Sequence, residues 1–351
     1  MNLKNLQQIR KEKRPFLTKK KVILYSLGIF AILILVVSIS VSFYIHSALY
    51  EPVSSDNTAV KFTITKGEGT REIAEALEQD HLIRSSVVFV AYLKLNGRGD
   101  DVQVGDYLVR KNLTMMQIYK MITEGDVITT KITIPEGWTD KQIENELIKK
   151  GVTSESGFEN ALKKDYSFDF LKESPNGDLQ GFLFPDTYIL SSRPTAEEAI
   201  SKMLTEFKQK ANSEIRAKMD SDHLSYYQVL TLASIVEREV QTKADKKVVA
   251  GIFLNRLNTG MNLDSCATVQ YVLGTNKKIL SDQDISVDSP YNTYLNKGLP
   301  PGPIANPGMD SIDAVLNPTK TDYFYFFTGK DGKTYFSKTE AEHEAKKAQY
   351  L

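Results

Sequence analysis

The sequence VILYSLGIFAILILVVSISVSFYI, from Val22 to Ile45, decides how the chain is organised. Its 24 residues include sixteen Leu, Ile, Val or Phe and no charged side chain. As a helix it would be about 36 Å long, which exceeds the ~30 Å hydrocarbon core of a bilayer. A signal peptide has a shorter apolar region, and a buried core helix of this length normally has a polar face. The pattern predicts one retained transmembrane helix over residues 22–46.

The net charge of zero, from 44 basic and 44 acidic residues, hides two oppositely charged parts. Residues 1–21 carry eight basic side chains and one acidic side chain, a net charge of +7, and residues 51–351 carry −7. Because basic flanks stay on the cytoplasmic side of a membrane, we expect residues 1–21 to be a cytoplasmic tail against the lipid bilayer. The rest of the chain is then extracytoplasmic, and nucleic acid is not an expected partner.

A strand–turn–helix pattern occurs twice after a polar linker at residues 47–58. Phe62-Thr63-Ile64 and its Gly turn match Ile132-Thr133-Ile134 and its Gly turn, 70 residues later. Thr70 and Thr139 are the predicted N-caps of the two helices. The pattern predicts a small α/β module over residues 59–127, then a second repeat with a helical connector over 128–220. Such a module either binds glycan strands or acts as a spacer, and the repeat itself does not distinguish the two.

The most informative helix begins at Ser225-Tyr226-Tyr227-Gln228, which has the spacing of a capping box. It is almost wholly apolar until its end, where Glu237 continues the stripe of Val229 and Ala233 while Glu239 lies about 200° away. We therefore expect Glu237 to enter apolar surroundings, where burial disfavours a charged carboxylate. A carboxylic acid that keeps its proton can protonate a glycosidic oxygen. The alternative is that both glutamates lie in solvent.

Two further segments bear on function. Residues 298–308, Gly298-Leu299-Pro300-Pro301-Gly302-Pro303-Ile304-Ala305-Asn306-Pro307-Gly308, hold too many Gly and Pro for a helix or a central strand. The preceding Ser289-Pro290-Tyr291-Asn292-Thr293-Tyr294 offers rings and amides that suit sugar recognition, or it forms a rigid structural loop. The four His show no metal-ligand spacing, and the one cysteine excludes a disulfide framework, so we expect no metal and no cofactor.

Six motifs together resemble the endolytic murein transglycosylases, the YceG-like family. The resemblance extends over nearly everything from the apolar span to the C-terminus. The motifs are L-A-S-I-V-E-R-E (232–239), G-I-F-L-N-R-L (251–257), S-P-Y-N-T-Y (289–294), G-L-P-P-G-P-I-A-N-P-G (298–308), N-P-T-K-T-D-Y-F-Y-F (317–326) and Y-F-S-K-T (335–339).

The resemblance implies an α+β membrane enzyme. It implies a LysM-like region at 59–127 and a mixed α+β catalytic domain at 221–351. Such enzymes cut nascent peptidoglycan strands internally, between N-acetylmuramic acid and N-acetylglucosamine. The expected partners are glycan strands and membrane-bound wall synthases, such as penicillin-binding proteins and the elongation machinery.

The family's catalytic glutamate falls on Glu237, in agreement with the stripe argument. We expect this one carboxyl group to act first as acid and then as base, which leaves a 1,6-anhydro end. The alternatives are a hydrolytic muramidase, with Glu239 or Asp264 as second carboxylate, and a non-catalytic peptidoglycan-binding scaffold. The candidate substrate-binding residues are Glu239, Asn255, Gln270, Tyr291, Asn292, Thr293 and Tyr294.

One departure from the family lies in Leu263-Asp264-Ser265-Cys266-Ala267-Thr268-Val269. Many members read L-Q-S-D-P-T-V there, so Cys266 stands in place of an acidic side chain. We expect a buried structural thiol at this position rather than a catalytic one.

Overall fold

The computed structural model describes residues 19–97, 101–211, 213–221, 224–277 and 279–351. The chain divides into two compact units, with the boundary between Ile128 and Thr129. Within the described residues, each unit combines helices with two-stranded antiparallel sheets. The predicted α+β fold with one N-terminal apolar helix is therefore confirmed.

The apolar segment forms helix α1, Lys19–Tyr50. It is long and apolar enough to cross a membrane, and its side chains from 20 to 46 are exposed. The helix continues beyond residue 46, and Ala48 and Leu49 are buried in the core of the first unit. The first 18 residues of the predicted basic tail lie outside the described part of the chain.

After α1, the first unit is built around a two-stranded sheet. Its elements are β1 Ala59–Ile64, α2 Thr70–Gln79, α3 Ser86–Leu95, β2 Gly105–Arg110 and α4 Met115–Glu124. Strand β1 pairs antiparallel with β2, with Phe62 opposite Tyr107, and both side chains are buried beneath the helices. Thr114 caps the start of α4, and Gly125 ends it in the left-handed conformation that glycine adopts at low cost.

Of the two predicted N-caps, one is confirmed and one is wrong. Thr139 precedes helix α5, Asp140–Lys149, and its hydroxyl accepts the Gln142 N–H at 3.3 Å. Thr70, by contrast, is the first residue of α2, and Gly69 is the N-cap. The Glu72 carboxylate reaches back to accept the Gly69 N–H at 3.0 Å, so a side chain from inside the helix satisfies this end.

The second unit begins with a strand and two helices: β3 Thr130–Thr133, α5 Asp140–Lys149 and α6 Glu155–Leu162. Two short 3₁₀ turns follow, and then β4 Thr187–Leu190, α7 Ala196–Lys210 and α8 Ser213–Ser221. Strand β3 pairs antiparallel with β4, with Ile132 opposite Tyr188. The aromatic run 182–184 is buried in the core.

The rest of the second unit is mainly helical. Its elements are α9 Tyr226–Glu239, α10 Lys243–Thr259, α11 Cys266–Leu273, α12 Asp282–Ile285, α13 Met309–Leu316, β5 Tyr325–Thr328, β6 Thr334–Ser337 and α14 Glu340–Tyr350. Ser225 and Gln228 form the predicted capping box of α9, which packs against α10 and α13. One hydrophobic core includes residues from both 128–220 and 221–351, so these two segments fold as one body.

Candidate active site

Glu237 lies in the last turn of α9, and its side chain is only 8% exposed. Its Oε1 accepts a hydrogen bond from Lys246 Nζ at 2.8 Å. Its Oε2 accepts from the Gly308 N–H at 3.0 Å and from Ser311 Oγ at 2.7 Å. The glutamate is buried, as expected, but the expectation of apolar surroundings is wrong. Helix α10 and the start of α13 converge on it and bring three donors.

Lys246 is the cation of this site. It lies one turn into α10 and is 3% exposed. Because α10 follows α9 after a three-residue connection, residues 240–242, its first turns return along the end of α9. Desolvation of two charges is costly unless each is paired and hydrogen-bonded. The three hydrogen bonds to Glu237 meet that requirement.

A second carboxyl group, that of Glu136, also lies near Lys246. Its Oε2 is 4.0 Å from Lys246 Nζ, and its side chain is 52% exposed. Partial burial raises the pKa of Glu136, and the negative charge of Glu237 raises it further. The next residue, Gly137, has φ +76°, and a Cβ there would lie 3.4 Å from Cγ of Glu237. The turn after β3 thus brings a second acid to the site.

The start of α13 supplies the remaining donors. Gly308 is the N-cap of this helix and Ser311 lies in its first turn. Free N–H groups and the helix dipole make such an end favourable for a carboxylate. A Cβ on Gly308 would lie 1.8 Å from Oε1 of Glu136, so the residue must be glycine for both carboxyl groups to approach.

Asn306 joins the Gly/Pro-rich loop to the rest of the site, and all of its polar atoms are used. Its Oδ1 accepts the N–H groups of Gly181 and Leu183 at 2.8 and 2.9 Å. Its Nδ2 donates to the Trp138 carbonyl and to Asp140 Oδ1, both at 3.0 Å. Fully buried, Asn306 connects three segments that are far apart in sequence.

Five residues of the site were not predicted from the sequence: Glu136, Lys246, Asn306, Gly308 and Ser311. A weak signal existed for Glu136, because it follows a strand of the repeat and directly precedes Gly137, the glycine turn of that repeat. Asn306 and Gly308 lie in a loop that the sequence singled out for its rigidity. Lys246 and Ser311 had no local signal, since their roles depend on contacts between helices.

Two of the predicted substrate-binding residues are fully buried in the chain's own framework. Asn292 donates through Nδ2 to the carbonyls of Ile285 and Val287, at 2.9 and 2.8 Å. Thr293 Oγ1 lies 2.9 Å from Thr268 Oγ1. These contacts hold the loop at residues 289–294 against α11 and α12.

Glu239 and Asn255 are also engaged with neighbouring segments. Glu239 accepts hydrogen bonds from Ser265 Oγ and from the Ala267 backbone, at the start of α11. Burial raises the pKa of Glu239, and the hydrogen bonds oppose that effect. Asn255 Nδ2 donates to the carbonyls at 321 and 323, at 2.8 and 3.1 Å, which fixes the approach to β5.

Gln270 and Tyr291 lie nearer open space. Gln270 lines a cavity of about 470 Å³ together with Tyr271 and Arg238, the residue after Glu237. The rings of Tyr271 and Tyr291 are 5.2 Å apart. Gln270 therefore lines this cavity, which also includes Arg238 at the end of α9, and Tyr291 lies beside it.

The remaining predicted and alternative residues lie around Cys266. Its half-buried thiol is 3.0 Å from the hydroxyl of Tyr294, and burial raises the pKa of the thiol. Asp264, an alternative second carboxylate, has Oδ2 3.7 Å from Arg256 Nη1. Within the described residues, no group of three or more His, Cys, Asp or Glu is arranged to hold a metal ion.

Comparisons with known proteins agree on one family. The YceG-like family model matches residues 62–349. The endolytic murein transglycosylase of Bacillus subtilis (strain 168) is 35% identical over 325 residues, which cover 88% of this chain and 90% of that protein. The endolytic murein transglycosylase of Streptococcus pneumoniae serotype 2 (strain D39) is 30% identical over 88% of this chain and 61% of its own length.

A solved structure is similar as well. The 2.6 Å crystal structure of a YceG-like protein from Listeria monocytogenes is 32% identical to this chain, with a TM-score of 0.56. The similarity covers 82% of this chain and 98% of the Listeria protein.

Proposed function

This chain belongs to the YceG-like family, and we propose that Glu237 is the acid and base of its lytic transglycosylase reaction. The chain is an enzyme of the endolytic murein transglycosylase type, which cleaves peptidoglycan glycan strands. The observation that supports Glu237 is the convergence on one buried carboxylate of an ammonium, a hydroxyl and a helix N-terminal N–H. Such an arrangement holds a carboxylate in one orientation and stabilises it when it forms during a reaction.

The reaction begins with a proton on the Glu237 carboxyl group. Two carboxyl groups lie near one ammonium: Lys246 Nζ is 2.8 Å from Glu237 and 4.0 Å from Glu136. A glycan strand over the site excludes water from this group of charges.

Bond breakage follows from this state. Glu237 donates its proton to the glycosidic oxygen while the bond to C1 of the muramoyl sugar breaks through an oxocarbenium-like transition state. The carboxylate that forms is stabilised by Lys246, Ser311 and the Gly308 N–H. It then takes the proton of the C6 hydroxyl of the same sugar, whose oxygen bonds to C1. The product has a 1,6-anhydro end, Glu237 is protonated again, and no water is consumed.

A hydrolytic muramidase is the second candidate, and Glu136 is the observation that favours it. Hydrolysis needs a second carboxyl group to activate water, and Glu136, with 52% of its side chain exposed, is the more exposed of the two carboxyl groups near Lys246. The transglycosylase route does without that group because its nucleophile belongs to the substrate, at a high effective concentration.

The location and the partners of the enzyme are further parts of the proposal. We place α1 across the cell membrane, with the N-terminus in the cytoplasm and residues 51–351 outside, because basic residues precede the apolar span. We assign glycan binding to residues 59–127 as a LysM-like module and the catalytic glutamate to 221–351. Residues 128–220 share a hydrophobic core with that part and bring Glu136 to the site. Membrane-bound wall synthases would supply the nascent strands.

The test uses the full-length protein in detergent with purified glycan strands, and mass spectrometry of the new chain ends. We expect 1,6-anhydro ends from the wild type and none from Glu237→Gln. A charge-matched control, Glu146→Gln on α5, where the carboxylate pairs with Lys149 and Lys150, should retain activity. Reducing ends would support the muramidase, and binding without new ends would support a scaffold. Full activity of Glu237→Gln would refute the assignment.

A further inference from the structure

Helix α3 is apolar on the side that the first unit leaves exposed. Phe89 and Leu93 are buried in the core of that unit, whereas Val87 and Leu95 are 77% and 87% exposed. At 100° per residue, Val87, Ala91 and Leu95 lie within an arc of about 80°, opposite the buried pair. A helix that is apolar all round is normally buried, so these three residues, here called the outer stripe, indicate a partner outside the unit.

With α1 across the membrane, as proposed above, the first unit begins inside the headgroup layer. Helix α1 is unbroken from the apolar span to Tyr50, and Ala48 and Leu49 are already buried in the core of the first unit. Ala48 follows Ile45 by about 4.5 Å along the helix axis. The headgroup layer is about 5–7 Å thick on each side of the hydrocarbon core. The first unit is therefore attached to the span by a continuous helix and lies against the bilayer.

Helix α3 starts next to this attachment, and α1 packs against both α3 and α4. Arg84, just before α3, donates from Nη2 to the Pro52 carbonyl at 2.7 Å and from Nε to the Glu51 carbonyl at 3.3 Å. Because Glu51 directly follows α1, the start of α3 lies about 10 Å from the end of the apolar span. Tyr50 adds an exposed aromatic ring at the same level, a residue type that is enriched at membrane–water interfaces.

The sheet face that points away from the helices has a different character. Lys61 Nζ on β1 pairs there with Asp106 Oδ2 on β2 at 2.8 Å, and Arg110 is exposed at the end of β2. Leu108, which is 51% exposed, is a single apolar side chain among these polar groups. Exposed apolar residues that occur singly are common on protein surfaces, whereas a continuous stripe is not. The helix side of the first unit is therefore the side that suits lipid.

We propose that α3 lies in the outer headgroup layer of the membrane, with the outer stripe against the phospholipid acyl chains. Its ten residues are about 15 Å of helix, too short to cross a bilayer but suited to lie along its surface. The exposed Lys94, beside the stripe, extends its ammonium to the lipid phosphates. The inference rests on the proposed placement of α1 and goes beyond it, because a second contact with the bilayer fixes the orientation of the first unit.

The test measures the depth of spin labels in the full-length protein, reconstituted into phospholipid nanodiscs. Each variant carries one labelled cysteine, from Val87→Cys, Leu95→Cys or the matched control Leu108→Cys, in a Cys266→Ser background. Oxygen concentrates among the acyl chains and a nickel chelate stays in water, so the ratio of their collision rates with the label reports depth. For a helix whose apolar face lies about 5–10 Å into the boundary layer, we expect this ratio at residues 87 and 95 to exceed that at 108 at least about threefold.

Three outcomes would overturn the lipid contact of α3. Equal ratios at residues 87, 95 and 108 would place α3 in water. Spin–spin broadening that disappears on dilution with unlabelled protein would show a second copy on the outer stripe, and low collision rates with both reagents would show another protein surface on it. A label from Ile34→Cys, in the middle of α1, separates this proposal from the placement of α1. If the ratio at residue 34 is as low as at 108, that placement fails; if it is high while 87 and 95 match 108, only the contact of α3 fails. The assay of anhydro ends on the same samples reports the reaction independently.

Discussion

Lys246 Nζ lies 2.8 Å from Oε1 of Glu237, and the two side chains are 4% and 8% exposed. A buried ion pair is only weak evidence for stability, because desolvation opposes the attraction between the charges. Removal of one partner is strongly destabilising, because it leaves the other charge buried without a counter-charge. The same two residues therefore affect both the stability of the second unit and the chemistry of its site.

Lys246→Met should both destabilise the protein and inactivate it. We expect a loss of about 3–5 kcal/mol in the free energy of unfolding, measured by denaturant titration of the full-length protein in detergent. Glu237→Gln in the Lys246→Met background should restore part of that stability, because it removes the unpaired charge. The control is Lys247→Met, whose partner Asp313 is partly exposed and whose loss should be at most about 1 kcal/mol. Equal losses in the two lysine variants would contradict this account.

Gly308→Ala should impair catalysis more than folding. The backbone φ of −81° suits alanine, but the new Cβ would lie 1.8 Å from Oε1 of Glu136. Glu136 is half-exposed and can swing away, so we expect a change in stability below about 1.5 kcal/mol. Anhydro-end formation should fall at least tenfold if the position of Glu136 matters to the reaction. Glu136→Ala in the same background should relieve the clash, and a melting temperature that does not recover would argue against this geometry.

Asp140 should make stability depend on pH. Its pKa is raised from 3.8 to about 7 by burial, so the native state retains a proton that the unfolded chain releases. The stabilisation is complete below about pH 4 and is lost as the pH rises towards 7. Asp140→Asn keeps the acceptor for Asn306 and should reduce the loss of unfolding free energy between pH 4 and 7. The reduction should be at most about 4 kcal/mol. Melting temperatures of the two proteins from pH 4 to 8 test it, and parallel curves would refute it.

Asn306→Ala should be among the most damaging single changes in the loop at residues 298–308. It leaves two backbone N–H groups and one carboxyl group without their buried partner, whereas the Trp138 carbonyl keeps the backbone N–H of residue 306. We expect a loss of at least about 3 kcal/mol, from penalties of about 1–3 kcal/mol for each unpaired group. Asn317→Ala, at an exposed amide that bonds only to the Asp313 side chain at 2.9 Å, is the control and should lose less than about 1 kcal/mol. Similar losses in both variants would contradict the role of Asn306.

The parts of the fold that sequence predicted correctly depend on local chemistry. The Ser225 capping box, the Thr139 N-cap and the apolar helix α1 each follow from a few neighbouring residues. Thr70 failed as an N-cap because the helix begins one residue earlier: Gly69 is the N-cap, and the Glu72 carboxylate accepts its N–H. The sequence pattern does not distinguish two possible starts that are one residue apart.

The site was only half predictable for a related reason. The stripe of α9 placed Glu237 in the interior, but its donors, such as Lys246 and Ser311, come from other helices. Nothing local marks those positions. Asn292 was chosen for its side-chain amide, but such an amide can bind backbone carbonyls as well as a sugar. In the structure its Nδ2 donates to the carbonyls of Ile285 and Val287. Its assignment to substrate contact stays a prediction.

The site can form only after nearly the whole chain has been synthesised. The partners of Glu237 Oε2 lie 71 and 74 residues further along the chain, and Asn306 bonds to segments 125 and 168 residues before it. Contacts so distant in sequence require long loops of the chain to close. A chain whose synthesis stops before residue 306 has the glutamate and the lysine but cannot assemble the site around them.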